Sequence, residues 1–284
     1  MRKVSLTLFI TVIVALLAIV DRANAALVTH LKLNEAGGQT AVDSVGSNDL
    51  TLGSSAAVDS ADPVFVGGKF GNALEFDGVD DVAVRLAPTG LPVGNASRTM
   101  AFWAQIKSFG HGEVFGGYGD SGSFNNFQLG TTFSGGDEVE FYGWAGGDFD
   151  TNINIDPNLI DGQFHHLVVR FDSVSDLVTV TVDGGTTLSA SATRNLTTVA
   201  GSITLGGEAD NQDRESDVIL DDFAVWDTEL TDAQVNALFT LGDEDALAYD
   251  AGEVELLLAA HAAMGGVSLG QFNWTFATDL DSQL

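Results

Sequence analysis

The stretch "DGQFHHLVVRFDSVSDLVTVTVDG", Asp161 to Gly184, decides the fold. Leu167, Val169 and Phe171 occupy alternate positions, and Val178, Val180 and Val182 do so again beyond a linker rich in Ser and Asp. Successive side chains of a strand point to opposite faces, so each run buries one face while the linker turns the chain back. Asp183-Gly184 then supplies a second turn. In the hairpin this predicts, His165 lies on the side of Leu167 and His166 on the other, so the two cannot chelate one ion as neighbours. Both are read as parts of the strand, and no second His cluster supports a zinc site.

Outward from this hairpin the same period of two recurs over residues 27–34, 72–76, 81–86, 98–106, 138–144, 202–207 and 217–227. Many short alternating segments separated by turns predict an all-β sandwich of antiparallel sheets. Helical patterns are confined to the end. Thr231 and Gln234 form a capping box ahead of Val235, Leu238 and Phe239, and Gly242 stops that short helix. Asp250 and Glu253 open a second helix carrying Val254, Leu257, Leu258 and His261, closed by Gly265-Gly266, with a short strand expected over 271–276. The predicted organisation is a leader over 1–25, a β domain over 26–241 and an acidic tail over 242–284.

The leader is read from Arg2 and Lys3, the apolar run Val4 to Val20 and the small-residue end Ala23-Asn24-Ala25. This is the pattern of a secretory signal peptide, and Asp21 and Arg22 follow too directly for a membrane anchor. The expectation is a secreted or cell-surface protein without membrane insertion after cleavage. The whole chain has a net charge of −29, and taking away Arg2, Lys3, Arg22 and Asp21 leaves 8 basic and 39 acidic residues, a net −31. Such a surface repels nucleic acid and anionic lipid and favours divalent cations. Asp outnumbers Glu 29 to 11, which suits turns and oxygen-ligand sites. There is no cysteine, so stability must come from the core and, in part, from a bound cation.

Four stretches in this order are similar to a known pattern: "LKLNEAGGQTAVDSVGSNDLTL", "GKFGNALEFDGVDDVAV", the hairpin above, and "ITLGG" followed by "DVILDDFAVWDTELTDAQVNALF". Over residues 28 to 240 the chain resembles the bacterial LamG-like jelly-roll domains of the concanavalin A-like lectin/glucanase superfamily. Phe164 stands where that family usually has Trp before the His pair. The resemblance implies two face-to-face antiparallel sheets of six or seven strands with a short helix after the last. It also implies a noncatalytic module of a secreted or surface protein that binds glycans or proteins and holds a structural Ca²⁺.

Three chemistries bear on the residues themselves. Glucanases of this superfamily need paired carboxylates on one face of a strand, in an E-x-D-x-x-E run, and no such run exists. The nearest approach is Glu138 and Glu140, read as a solvated strand face, and no nucleophile elbow occurs. The chain is therefore expected not to be an enzyme; a glycoside hydrolase or polysaccharide lyase of the same fold, and a purely structural extracellular protein, are the competing readings. Calcium takes six to eight oxygens, and Asp-Gly turns supply them. The candidates are Asp77, Asp80 and Asp81 in "FDGVDD", Asp221 and Asp222 in "ILDD", and Glu35 at the end of the first strand. The competing account is that the first three only shape a turn. For carbohydrate, an aromatic ring beside amides and carboxylates in glycine-rich loops is the pattern sought. Tyr118, Asp120, Asn125, Asn126, Trp144 and Asp148 provide it, whereas Trp103 and Trp226 lie in strand patterns and read as core. The leading reading is an exported, calcium-stabilised carbohydrate-binding or adhesion module whose partner is an extracellular glycan or surface protein.

Overall fold

The computed structural model describes residues 25–241, apart from positions 54, 56, 111, 123, 133–137, 144–148, 155–156, 186–187 and 210–213. The predicted leader and the predicted helix and strand of the tail lie outside the described residues. In chain order the strands are β1 (Leu27–Leu31), β2 (Thr40–Ala41), β3 (Leu50–Leu52), β4 (Val64–Gly67), β5 (Asn72–Asp77), β6 (Ala83–Leu86), β7 (Arg98–Ile106) and β8 (Val114–Gly119). They continue as β9 (Phe127–Thr131), β10 (Glu138–Tyr142), β11 (Phe149–Asn154), β12 (His165–Asp172), β13 (Leu177–Val182), β14 (Leu188–Thr193), β15 (Ser202–Leu205) and β16 (Asp217–Trp226), followed by α1 (Asp232–Leu241).

One eight-stranded sheet runs β14-β13-β12-β7-β16-β5-β4, with β1 also on β16; the other runs β11-β10-β9-β8-β15-β6-β3-β2. The chain crosses between the sheets eight times, from β1 to β2, β3 to β4, β5 to β6, β6 to β7, β7 to β8, β11 to β12, β14 to β15 and β15 to β16, so the core is closed by strands distant in sequence. The opening hairpin pairs as its period dictates, with Leu167 opposite Val182, Val169 opposite Val180 and Phe171 opposite Val178. These six side chains enter the buried layer between the sheets with Phe76, Met100, Phe102, Phe127, Leu129, Phe141, Ile203 and Leu205. Burying each such side chain contributes about 1.5–3 kcal/mol, so this layer is the main source of stability.

The other face of the first sheet is apolar too. Ala101, Val168, Ala224 and Trp226 form a second cluster with Leu230 and with Val235, Ala237 and Leu238 of α1. The helix is held at its start by the predicted capping box: the Gln234 amide N–H donates to Thr231 Oγ1 at 3.3 Å, and the Thr231 N–H donates to Gln234 Oε1 at 2.8 Å. Arg170 reaches out of β12 to the Leu230 carbonyl at 2.8 Å and to Asp232 at 2.7 Å, tying sheet to helix. Trp103 and Trp226 are buried, as their positions predict.

The two adjacent histidines part as the strand period requires. His165 is gripped at Nδ1 by Asp183 (2.8 Å) and at Nε2 by Asp161 (3.3 Å). Burial pulls its pKa down, but the bonds and charges of Asp183 and Asp161 outweigh that and hold it above the ordinary value. His166 is 1% exposed, with its ring 5.0 Å from that of Trp103 and 6.4 Å from that of Phe239. Burial there lowers its pKa from 6.5 to about 4. The unfolded chain therefore binds this proton more tightly than the fold does. The stability His166 contributes is present above pH 6.5 and is lost as the pH falls to about 4. The full loss is about 3 kcal/mol for a shift of this size. Urea unfolding from pH 7 to 4 should reveal it, and H166L should flatten the decline; an equal slope in the variant would contradict the assignment.

Candidate functional site

The turn after β5 carries three of the predicted acids. Gly78 adopts a φ of 72°, which a glycine tolerates, and the turn closes on carboxylates. Asp77 Oδ1 accepts from the Val79 N–H at 2.9 Å, and Asp81 Oδ2 accepts from the Asp77 N–H at 2.9 Å. Turn chemistry is thus present. In addition, one oxygen from each of Asp77, Asp80 and Asp81 lies within 4.8 Å of the others, with Asp77 and Asp80 exposed and Asp81 buried. Burial pushes the Asp81 carboxyl up to about 6, and the charges of Asp77, Asp80 and Asp62 add to the rise. A proton or a cation would relieve the repulsion among these groups.

Asp221, Asp222 and Glu35 are placed elsewhere. β16 pairs with β5 along Asp217–Leu220 and with β1 along Phe223–Trp226, and its register against β7 shifts between Asp221 and Ala224. Asp222 sits in that irregularity with a φ of 52°. Both acids are wholly buried. Asp222 Oδ1 lies 3.0 Å from His30 Nε2. Asp221 Oδ2 accepts from the Phe70 N–H at 2.9 Å, while its buried Oδ1 has no hydrogen-bond partner. Burial drives its pKa up to about 8, aided by the Asp222 charge. Glu35 Oε1 accepts from the Val42 N–H at 2.9 Å, and its carbonyl accepts from Asn72 Nδ2 at 3.0 Å. These three acids do not join the Asp77 trio, the one such group of three among the described residues.

The predicted sugar-binding residues divide. Tyr118 lies in β8, not in a loop; it is wholly buried, with its hydroxyl donating to the Pro92 carbonyl at 2.9 Å and accepting from Arg98 at 3.2 Å. Its ring offers no face to a sugar, which corrects that expectation. Asp120 is exposed at the end of β8, next to half-buried Asn125, whose Oδ1 accepts from Thr197 at 3.1 Å. Asn126 follows it but is wholly buried, with neither amide atom hydrogen-bonded. Trp144 and Asp148 lie outside the described residues.

Asn126 belongs to a polar face that the sequence pattern did not reveal. Phe127 and Leu129 enter the core, so Asn126 and Gln128 alternate onto the outer side of the second sheet, as do Ser202 and Thr204 about Ile203, and Glu140 and Tyr142 about Phe141. The glycines of β8 make room for the amides: a β-carbon on Gly117 or Gly119 would collide with Gln128 or Asn126. Glu140 is not on a solvated strand face as expected; it is 1% exposed. Over Gln128 and Ser202 the cover is the chain after β15. The Ala209 N–H donates to Gln128 Oε1 at 2.7 Å, Ser202 Oγ donates to the Ala209 carbonyl, and buried Glu208 lies 3.2 Å from Arg214 Nε. The Arg214 guanidinium in turn lies 5.7 Å over the Tyr142 ring.

Two eight-stranded antiparallel sheets, packed core to core and followed by a capped helix, define a jelly-roll domain. Residues 76–236 match the concanavalin A-like lectin/glucanases superfamily, and the chain belongs to that family. Among solved structures, domain 4 of AbnA, an extracellular arabinanase from Geobacillus stearothermophilus in complex with arabinotriose, is similar at 19% identity and a TM-score of 0.56, over 76% of this chain and 99% of that domain. The binding domain of Paraclostridial mosquitocidal protein 1 is similar at 12% identity and 0.55, over 75% of this chain and 52% of that one. Trypanosoma rangeli sialidase, solved as a covalent intermediate with 2,3-difluorosialic acid, is similar at 17% identity and 0.52, over 75% of this chain and 32% of the enzyme. At these identities the likeness is one of fold. No curated protein matches the sequence.

Proposed function

We propose that this chain is a noncatalytic carbohydrate-binding or adhesion module of an exported protein, acting on an extracellular glycan or a surface protein and stabilised by Ca²⁺. Membership of the lectin/glucanase superfamily supports a carbohydrate partner, as does the shared fold with a domain solved holding arabinotriose. The single observation that favours binding over hydrolysis is the closure of Glu140. A retaining pair needs two carboxylates about 5–5.5 Å apart that both reach the substrate. Glu140, 1% exposed, does not meet a substrate from solvent. Of the predicted sugar-binding residues that are described, Asp120 is exposed and Asn125 half-buried, and these two are the residues assigned to the sugar. A polysaccharide panel assayed for reducing ends and unsaturated products tests this; release of either would replace the reading by the glycoside hydrolase or lyase alternative.

The donors present fit a hard cation: Asp77, Asp80 and Asp81 offer clustered carboxylate oxygens of the kind Ca²⁺ takes. The ion would neutralise the turn and tie β5 to the segment leading into β6. An ion bound only by the folded state, at about a hundred times its Kd, adds about 2.7 kcal/mol. Chelation should therefore lower the unfolding temperature of the wild type, and D77N/D80N should remove the response; an unchanged melting curve after EDTA would remove calcium from this account.

A further inference from the structure

Resting on the carbohydrate reading, we infer that Phe124 is a sugar-binding residue, the aromatic platform on which a glycan ring stacks its C–H face while Asp120 and Asn125 take its hydroxyls. Tyr118 is core, so the ring that such a site needs beside its carboxylate and amide has to come from elsewhere. Phe124 stands in the same short connection, between Asp120 at the end of β8 and Asn125 ahead of β9. Its φ is 64°, and it is the one aromatic residue in the left-handed region among the described residues. Glycine or asparagine holds that conformation readily, whereas a bulky side chain there is strained.

The conformation is held by a neighbouring segment. The Phe124 carbonyl accepts from the Thr197 N–H at 3.0 Å and the Asn125 carbonyl from the Val199 N–H at 3.1 Å, while the Asn125 N–H donates to the Gly122 carbonyl at 3.3 Å. Asn125 adds its side chain, with Nδ2 donating to the Ser121 carbonyl at 2.9 Å and Oδ1 accepting from Thr197 Oγ1 at 3.1 Å. A strained residue persists where its surroundings over-determine it, and such residues cluster at ligand clamps. The hydrophobic interior does not account for the ring. Phe124 is half-buried, and among the described residues the half-buried side chains packed on the two hydrophobic clusters are Val28, Phe65, Phe109 and Leu27, not Phe124. A phenyl ring that is held in a strained conformation and adds to neither cluster is explained by a partner outside the fold. Asp120 beside it is exposed, and one of its oxygens accepts from the Ser121 N–H at 2.7 Å. Carboxylate, amide and ring thus share one clamped turn, the polar groups suited to hydroxyls and the ring to the apolar side of the same sugar.

The test titrates soluble arabino-, xylo- and cello-oligosaccharides into the parent protein and into F124G, F124L and F124W, and records a thermal unfolding curve for each. F124L keeps the bulk and the strained backbone without the ring, so it should fold as the parent does and bind about tenfold more weakly, the loss expected for one stacked ring. F124G removes the ring and relieves the strain; it should bind as weakly as F124L and unfold at or above the temperature of F124L. F124W should bind as the parent does. A folded F124L or F124G with the parent's affinity would overturn the inference while leaving the carbohydrate reading intact, and so would an F124G that unfolds well below F124L, which would make the side chain a structural one. A parent protein that binds none of the oligosaccharides would remove that reading and the inference with it.

Discussion

Replacing Arg98 by Ala is expected to lower the unfolding temperature by about 10 °C, corresponding to a loss of about 4 kcal/mol. Arg98 is wholly buried at the start of β7, yet it has no acidic partner among its hydrogen bonds. Its guanidinium is neutralised by dipoles instead: Nε donates to the Ala96 carbonyl at 2.8 Å, Nη1 to the Pro92 carbonyl at 3.0 Å and Nη2 to the Gly94 carbonyl at 2.6 Å. The Tyr118 hydroxyl accepts from Nη1, and the rings of Phe127 and Phe171 lie 5.3 and 5.7 Å from the guanidinium carbon. Truncation leaves three carbonyls short of a donor and opens a void between two aromatic rings. R98K should recover little, since one ammonium cannot serve three acceptors placed for a planar fork. Thermal unfolding of both variants checks this, and a shift of R98A below about 2 °C would show the cage to be worth less than one hydrogen bond.

Replacing Gly206 by Val is expected to be comparably severe, about 4 kcal/mol, the sum of backbone strain and overpacking. Gly206 has a φ of 81°, and a β-carbon there would fall on the Phe76 ring in the core. It also starts the segment that reaches Ala209, so the variant loosens the cover on Gln128 along with the core. Chemical unfolding measures the loss; G206A, which adds less bulk at the same φ, should fall between the two. A valine variant as stable as the parent would mean that the turn relaxes without strain.

The strands with side chains on alternating faces were legible because their period is local. The β12–β13 hairpin, β7 and β16 follow the pattern that Leu167, Val178 or Phe102 sets. β8 was not legible, and the reason is physical. Its "VFGGYG" reads as a loop because glycines weaken a strand pattern, yet Gly117 and Gly119 are there to let the side chains of Gln128 and Asn126 lie across them. Tyr118 was consequently read as a loop aromatic when it is core. The burial of Glu140 was equally hidden, since no period in "EVEFY" records what lies over its outer face. The Asp77 turn, by contrast, is contained in five consecutive residues, and both its hydrogen bonds and its clustering follow from that short span.

The most direct measurement is equilibrium binding of the protein to an immobilised glycan array in calcium-containing buffer, with D120A/N125A alongside. Retention on at least one glycan, competed by the free oligosaccharide and lost in the variant while its circular dichroism is unchanged, is the predicted result. A folded protein retained on no glycan, or a variant that binds as the parent does, would contradict it.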